Sequence, residues 1–227
     1  MKCEYCQQQV VPDWNLVTFL LNVPQKLEIL CNTCLGRFKM ISSRTCRGCG
    51  RPNDGLCYDC IRWQRQGQSL LHNDALYEYN TMMQWYFQNY KLKGGYHLRQ
   101  VFAGNFTEHI KSKLVDNASC LVPIPVSATT FKQRGFNHVQ GLLTNDWVFK
   151  DWLMCTRENK VTQSSLNRSQ RMQGASPFRL NVTQNAIVNQ HIVLIDDIYT
   201  TGSTLYWAAE LFYRSGASSV TSITLAR

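Results

Sequence analysis

The residues with chemistry to offer lie in two places. Near the C-terminal end, HIVLIDDIYTTGSTL (residues 191–205) runs an apolar segment into Asp196 and Asp197, then into Thr200, Thr201, Gly202, Ser203 and Thr204. Near the start, eight of the ten cysteines form four Cys-x-x-Cys pairs: Cys3/Cys6, Cys31/Cys34, Cys46/Cys49 and Cys57/Cys60. Carboxylates at a strand end can accept hydrogen bonds from sugar hydroxyls, directly or through a bound metal. Hydroxyls and backbone amides on a turn into a helix can converge on one phosphate, because first-turn N–H groups lack intrahelical partners and the helix dipole favours an anion. The segment lacks Gly-Lys-Ser/Thr, so it is no Walker A loop, and lacks Gly-x-Gly-x-x-Gly, so it is no dinucleotide turn.

A Cys-x-x-Cys pair sets two thiolates on one tight turn, and two pairs supply the four sulfurs of a tetrahedral zinc site. Four pairs therefore predict two structural zinc sites, each held by four cysteines. A redox Cys-x-x-Cys is ordinarily single and opens a helix, and iron–sulfur clusters favour other spacings. Consecutive pairing is the simplest arrangement, with other pairings left open. It makes Cys46-Arg-Gly-Cys49-Gly…Cys57-Tyr-Asp-Cys60 a compact ribbon whose Gly48 and Gly50 suit a turn at positive φ. It also leaves residues 7–30 as a mildly apolar insertion in the first ribbon. Cys120 and Cys155 stand apart in apolar surroundings and read as buried strand residues.

The elements that must position these groups follow from hydrophobic patterning. A short strand is expected over 75–79, with Asn80 capping a helix whose apolar stripe is Met83, Trp85, Tyr86, Phe87 and Tyr90. That helix stops at Gly94-Gly95, and a second is expected over 99–115. Lys91 and Lys93 could reach a phosphate, or simply complement the helix dipole. Residues 61–74 read as a polar connector. Residues 121–126 form a buried strand, a helical segment follows from about Asn137, and a short strand lies near Leu153. The unbroken apolar run 192–195 is a strand covered on both faces, as in a parallel sheet. A helix over 201–214 and a strand over 220–225 complete the chain. Alternating strands and helices predict an open α/β sheet whose ligands lie at the carboxyl ends of its strands.

At 227 residues and 44% apolar, the chain can bury one domain plus a small module. No run approaches the roughly 18–20 apolar residues that span a bilayer, and the first residues do not read as a signal peptide. The expectation is therefore a cytoplasmic protein without membrane insertion. The net charge of +9 is uneven: residues 120–180 hold eight Lys and Arg against three Asp and Glu, whereas 181–227 hold two against three. A basic segment suits a pyrophosphate or a nucleic-acid backbone, and equally suits a solvated face.

The strand, Asp-Asp and Thr-Thr-Gly-x-Thr order resembles the phosphoribosyl pyrophosphate (PRPP) signature of type I phosphoribosyltransferases. With the cysteine pairs, Tyr90-Lys91-Leu92-Lys93-Gly94, Val122-Pro123-Ile124-Pro125, Arg134-Gly135-Phe136-Asn137, and Gln163, Leu166, Arg171 and Phe178 in that order, nearly the whole chain resembles the ComF (ComFC) family of competence proteins. The resemblance implies a double zinc-ribbon module over 1–62 and a phosphoribosyltransferase-like domain over 63–227. Within the latter, 75–118 is a strand-helix entry segment and 119–227 the α/β core. Asp196 and Asp197 would hold the ribose hydroxyls, and Thr200, Thr201, Gly202, Ser203 and Thr204 the 5′-phosphate. The turn at Val126 and Ser127 corresponds to the pyrophosphate loop, with Arg134, Arg168 and Arg171 as its charge partners or as a lid. His138 stands where the family usually has Gln, and Gly174 where Asn is common.

The implied role is a late competence protein handling single-stranded transforming DNA in the cytoplasm, recruited to the membrane uptake machinery and partnered by a helicase-like ATPase. The implied ligands are zinc in the ribbons and magnesium with PRPP. Two alternatives remain: an active PRPP-dependent transferase on an unknown acceptor, and a PRPP-sensing regulator.

Overall fold

A computed structural model describes residues 1–10, 29–41, 44–92, 94–114, 119–144, 148–156 and 176–227. In chain order these form a one-turn α1 (Asn32–Leu35), α2 (Tyr58–Arg65), β1 (Asn73–Tyr77), α3 (Thr81–Lys91), α4 (Ala103–Lys113), β2 (Cys120–Pro123), α5 (Ala128–Arg134), β3 (Leu153–Cys155), β4 (Phe178–Leu180), β5 (His191–Ile198), α6 (Ser203–Arg214) and β6 (Ser219–Ala226). Strands β1, β6, β5 and β2 lie side by side in that order, and every pairing is parallel. The apolar run of β5 sits at the centre, buried from Ile192 to Asp197.

Successive side chains of a strand leave on opposite faces, and β5 shows which core each face serves. Val193 and Ile195 pack with Tyr86 and Tyr90 of α3 and Phe106 of α4. Ile192 and Leu194 pack with Leu205, Ala209 and Phe212 of α6. The cysteine sets divide in the same way. Cys3 and Cys34 join the α3/α4 core, whereas Cys46, Cys49, Cys57 and Cys60 join the α6 core. The architecture is therefore the expected mainly parallel α/β sheet of phosphoribosyltransferase type with a cysteine-rich N-terminal module.

Several element boundaries differ from the sequence reading. The supposed connector 61–74 begins as α2, which continues straight from Cys57 and buries Trp63. The helix expected from Asn137 lies before it, as α5, and Gly135 closes α5 in the left-handed conformation. Asn137 instead turns the chain, its Oδ1 accepting from Val139 N at 2.9 Å. The long helix expected over 99–115 is split into a 3-10 segment, Gly95–Val101, and α4. The strand near Leu153 pairs antiparallel with β4 in a separate two-stranded sheet, outside the main one. Of the lone cysteines, Cys120 is buried in β2 but Cys155 is half-buried. Residues 14–23, Lys93, Arg168, Arg171 and Gly174 lie outside the described residues.

Candidate functional site

The two cysteine sets assemble as consecutive pairing requires: Cys3, Cys6, Cys31 and Cys34 in one, Cys46, Cys49, Cys57 and Cys60 in the other. In each set the sulfurs lie within 4.8 Å of one another. Tetrahedral Zn–S bonds of about 2.3 Å imply sulfurs roughly 3.8 Å apart. Cys6 and Cys31 are at 3.7 Å and Cys49 and Cys57 at 3.4 Å, so both sets could bind zinc. Of the two glycines in the second knuckle, Gly50 has φ +73°, while Gly48 is needed for space: a Cβ there would sit 2.6 Å from Cys60 Sγ.

Strand β5 carries both aspartates into the sheet's carboxyl edge, and both are buried. Asp196 Oδ1 accepts from Asp197 N at 2.9 Å, and Asp197 Oδ1 accepts from Ile198 N at 2.8 Å. Their surroundings then diverge. Burial, followed by the neighbouring Asp197 charge, pushes the Asp196 carboxyl well above the usual carboxylate range. Burial would raise Asp197 too, but the Lys91 ammonium outweighs it and holds its carboxyl well below that range. Lys91, in the last turn of α3, is ion-paired with Asp197 Oδ2. Neither sequence reading of Lys91, phosphate contact or dipole partner, anticipated this pairing, because it joins residues more than a hundred positions apart.

His138 approaches the same oxygen, its Nε2 at 3.6 Å from Asp197 Oδ2. Its Nδ1 lies 2.7 Å from Arg134 Nη1. A guanidinium can only donate, so Nδ1 accepts and the ring proton resides on Nε2, facing the carboxylate. Tyr90 Oη fixes the segment by donating to the His138 carbonyl at 2.9 Å. The Gly135 turn thus brings Arg134, His138, Asp197 and Lys91 into one connected cluster. Arg134 also borders an open cleft of about 930 Å³ with Tyr96, Arg99, Phe131 and Phe136.

The Thr200–Thr204 loop follows β5 directly. Gly202 stands at φ +83° before the first turn of α6, and a Cβ there would collide with the Tyr199 ring beneath it. Only glycine meets both demands. Thr201 Oγ1 and Ser203 Oγ are 2.9 Å apart, both buried under the turn, whereas Thr200 is exposed and Thr204 half-buried. Thr200 and Thr201 face a second cleft, of about 590 Å³, shared with Arg51, Tyr79, Tyr199 and Arg227.

The turn after β2 is less open to a ligand. Ser127 caps α5: its Oγ accepts from Thr130 N at 3.2 Å and lies 2.8 Å from Thr130 Oγ1, fully buried, while Val126 is half-buried. The structure thus gathers Asp196, Asp197, the 200–204 loop and Arg134 at one end of the sheet, and adds Lys91 and His138. His138 was visible in the sequence as a departure from the family pattern. Lys91 carried a weaker signal, its place at the end of an aromatic helix.

No family model matches the chain. It is 33% identical over its whole length, and over the whole length of the relative, to the competence protein ComFC of Streptococcus pneumoniae. It is 32% identical to the competence protein ComFC of Bacillus subtilis, over 99% of this chain and 94% of that one. A DNA utilization protein, YhgH of Escherichia coli K12, is 30% identical over 44% of this chain and 45% of its own length. Identity of that level across essentially the full length, on a cysteine-rich module joined to a phosphoribosyltransferase-like sheet, makes the chain a member of the ComFC family of competence proteins.

Proposed function

We propose that the chain holds PRPP at the end of β5 and serves the handling of single-stranded transforming DNA. The observation that carries the ligand reading is the continuity of β5, two aspartates, the Gly202 turn and the start of α6, with Lys91 and Arg134 in the same cluster. Ribose hydroxyls would take over as donors to Asp197, freeing the Lys91 ammonium to turn toward pyrophosphate oxygens. The 5′-phosphate would lie on the loop formed by Thr200, Thr201, Gly202, Ser203 and Thr204, where aligned amides favour an anion. Arg134 adds a second cation for the pyrophosphate. Arg168 and Arg171 would be further charge partners of the pyrophosphate or part of a lid, as the family resemblance implies.

Among the described residues, the only groupings of three or more metal-ligating side chains are the two cysteine sets, which are read here as zinc sites. The aspartates alone form no cage for magnesium, a cation that commonly arrives bound to substrate phosphates. Magnesium would accordingly enter with the pyrophosphate and neutralise part of its charge.

The DNA part of the reading is supported by the competence and DNA-utilization relatives and by the basic 120–180 segment. The resemblance adds a helicase-like ATPase as partner and a cytoplasmic place of work. Among the described residues no helix is long and apolar enough to cross a membrane.

A second reading is favoured by the Lys91 and Arg134 cluster: phosphoribosyl transfer. The C1–O bond of PRPP would break, pyrophosphate would depart with its electron pair, and an acceptor lone pair would form the new bond to C1. Cations beside the departing oxygens stabilise that charge. Calorimetry with PRPP and magnesium should give a saturable heat for wild type and at least a tenfold weaker affinity for Asp197→Asn, since hydrogen bonds to charged groups contribute about 1.5–3 kcal/mol. Absence of heat in the wild type removes the PRPP reading. Pyrophosphate release, assayed across nucleobases and single-stranded DNA, separates transfer from binding alone. Affinity for single-stranded DNA should fall steeply with salt if basic residues contact its phosphates.

A further inference from the structure

Three consecutive carbonyls of the loop are held from below by residues outside it. Arg227 Nη1 donates to Tyr199 O at 3.1 Å and to Thr200 O at 2.7 Å. Trp63 Nε1 donates to Thr201 O at 2.9 Å. In a trans peptide the C=O of one residue and the N–H of the next point in opposite directions. Pinning the carbonyls of 199, 200 and 201 on one side therefore turns the amides of Thr200, Thr201 and Gly202 to the other side.

Both donors are tied to the second cysteine module, Trp63 through the helix that leaves it and Arg227, just after β6, through a bond to Asp59. Trp63 lies on α2, which starts at Cys57, and stacks on Tyr206 of α6 with ring centroids 4.2 Å apart. Arg227 Nη2 donates to Asp59 Oδ2 at 3.3 Å, and Asp59 lies between Cys57 and Cys60. Asp59 is 1% exposed and Arg227 7%, so this is an interior contact and not a surface pair. The guanidinium also stacks on the Tyr199 ring, 4.7 Å from its centroid. The first cysteine set makes no such contact with the loop among the described residues.

We propose that Asp59, Arg227 and Trp63 are positioning residues that let the second four-cysteine site set the orientation of the phosphate-binding amides. Metal at that site fixes the Cys57–Cys60 turn, the turn fixes Asp59 and the start of α2, and these fix the loop. The consequence for ligand affinity rests on the PRPP reading; the consequence for the loop itself does not.

The test is amide exchange by mass spectrometry on the full-length, ligand-free protein, with zinc counted in each variant. Trp63→Phe keeps the aromatic stack and loses only the donor, and Arg227→Gln loses the shared guanidinium. Both should retain two zinc ions per chain and unchanged protection of β5 and β6, while the bonded amides that close the loop at its two ends, Tyr199 N on Ala226 O and Tyr206 N on Gly202 O, exchange roughly tenfold faster. Cys57→Ser should lose one zinc and loosen the same loop, whereas Cys31→Ser should lose one zinc and leave it unchanged. Loop exchange at the wild-type rate in Trp63→Phe and Arg227→Gln overturns the proposal, as does equal loosening by Cys31→Ser and Cys57→Ser. Calorimetry with ribose 5-phosphate should show about a tenfold loss of affinity in Trp63→Phe. If wild type binds neither ribose 5-phosphate nor PRPP, the ligand reading fails while the exchange result still decides the brace.

Discussion

The two cysteine sets use the same chemistry and hold opposite sides of the candidate site. The first stands against α3. Tyr5 meets Trp85 edge-on at 5.0 Å, Asn80 at the helix start donates to Arg37 O at 2.8 Å, and Glu4 meets His97 at the surface. Helix α3 in turn carries Lys91 to Asp197. The second set stands against β1, α6 and the loop, through Asn73 N to Gly48 O at 2.7 Å, Trp63 to Thr201 and Arg227 to Asp59. All four of its cysteines are buried, whereas Cys6 and Cys31 of the first are half-exposed. One module thus supports the side of the site that carries Lys91 and Asp197, and the other the 200–204 loop. The difference teaches that two sets of identical chemistry can brace one site from different sides while keeping their own side chains out of it.

The largest expected effect comes from breaking the sets one at a time. Cys60→Ser removes a sulfur that is fully buried beside Trp63 and the α6 core, so it should cost about 4 kcal/mol or more, at the upper end of single substitutions. Cys6→Ser, at a half-exposed corner, should cost clearly less. Denaturant unfolding with zinc quantification checks the ranking, and equal losses would dissolve the asymmetry between the modules.

Next in size is the pair of aspartates, which face the two sides in turn. Asp197→Asn leaves Lys91 short of its buried partner and should cost about 3 kcal/mol near neutral pH. Asp196→Asn replaces a carboxyl whose charged form burial already disfavours, and should be neutral or slightly stabilising. The signs under titration are opposite. The Asp197 pKa is depressed by folding, so its stabilisation is present above the unfolded carboxylate range and is lost as pH falls toward the folded value. The Asp196 pKa is raised, so its contribution is fully present below the unfolded range and is lost as pH rises through the folded value. Thermal unfolding from pH 7 down to pH 3 should therefore show a shallower acid loss in Asp197→Asn than in wild type. A steeper loss in that variant would reverse the assignment of the two carboxyls.

Much of this was legible in the sequence, because local chemistry announces itself locally. Four evenly built Cys-x-x-Cys pairs, an unbroken apolar strand and an Asp-Asp-Thr-Thr-Gly run each need only a few adjacent residues to be read. The Asn80 cap was legible for the same reason, its Oδ1 accepting from Met83 N at 3.0 Å. What escaped was long-range or set by competing turn chemistry. Arg227 and Trp63 carry no motif, and their partners lie 28 and 138 positions away. Helix α5 was placed too late because its seven residues, ATTFKQR, carry almost no apolar stripe, and a Ser127 cap with a Gly135 stop defines it instead. The connector hid α2 because its polar face dominates the composition, while one buried tryptophan anchors it.

The smallest expected effects sharpen the contrast within the first module. Asn80→Ala removes both a helix cap and the donor to Arg37 O, and should cost about 1 kcal/mol, typical of a lost N-cap. His97→Ala breaks the contact with Glu4, 2.6 Å long but with both side chains substantially exposed, and should cost about 0.5 kcal/mol or less. If the first module acts by seating α3, Asn80→Ala should also quicken amide exchange in the first turns of that helix, and His97→Ala should leave it unchanged. Urea unfolding gives the two energies and exchange gives the location. A larger loss for His97→Ala than for Asn80→Ala would move the weight of the first module's contact from the helix start to its solvent-facing edge.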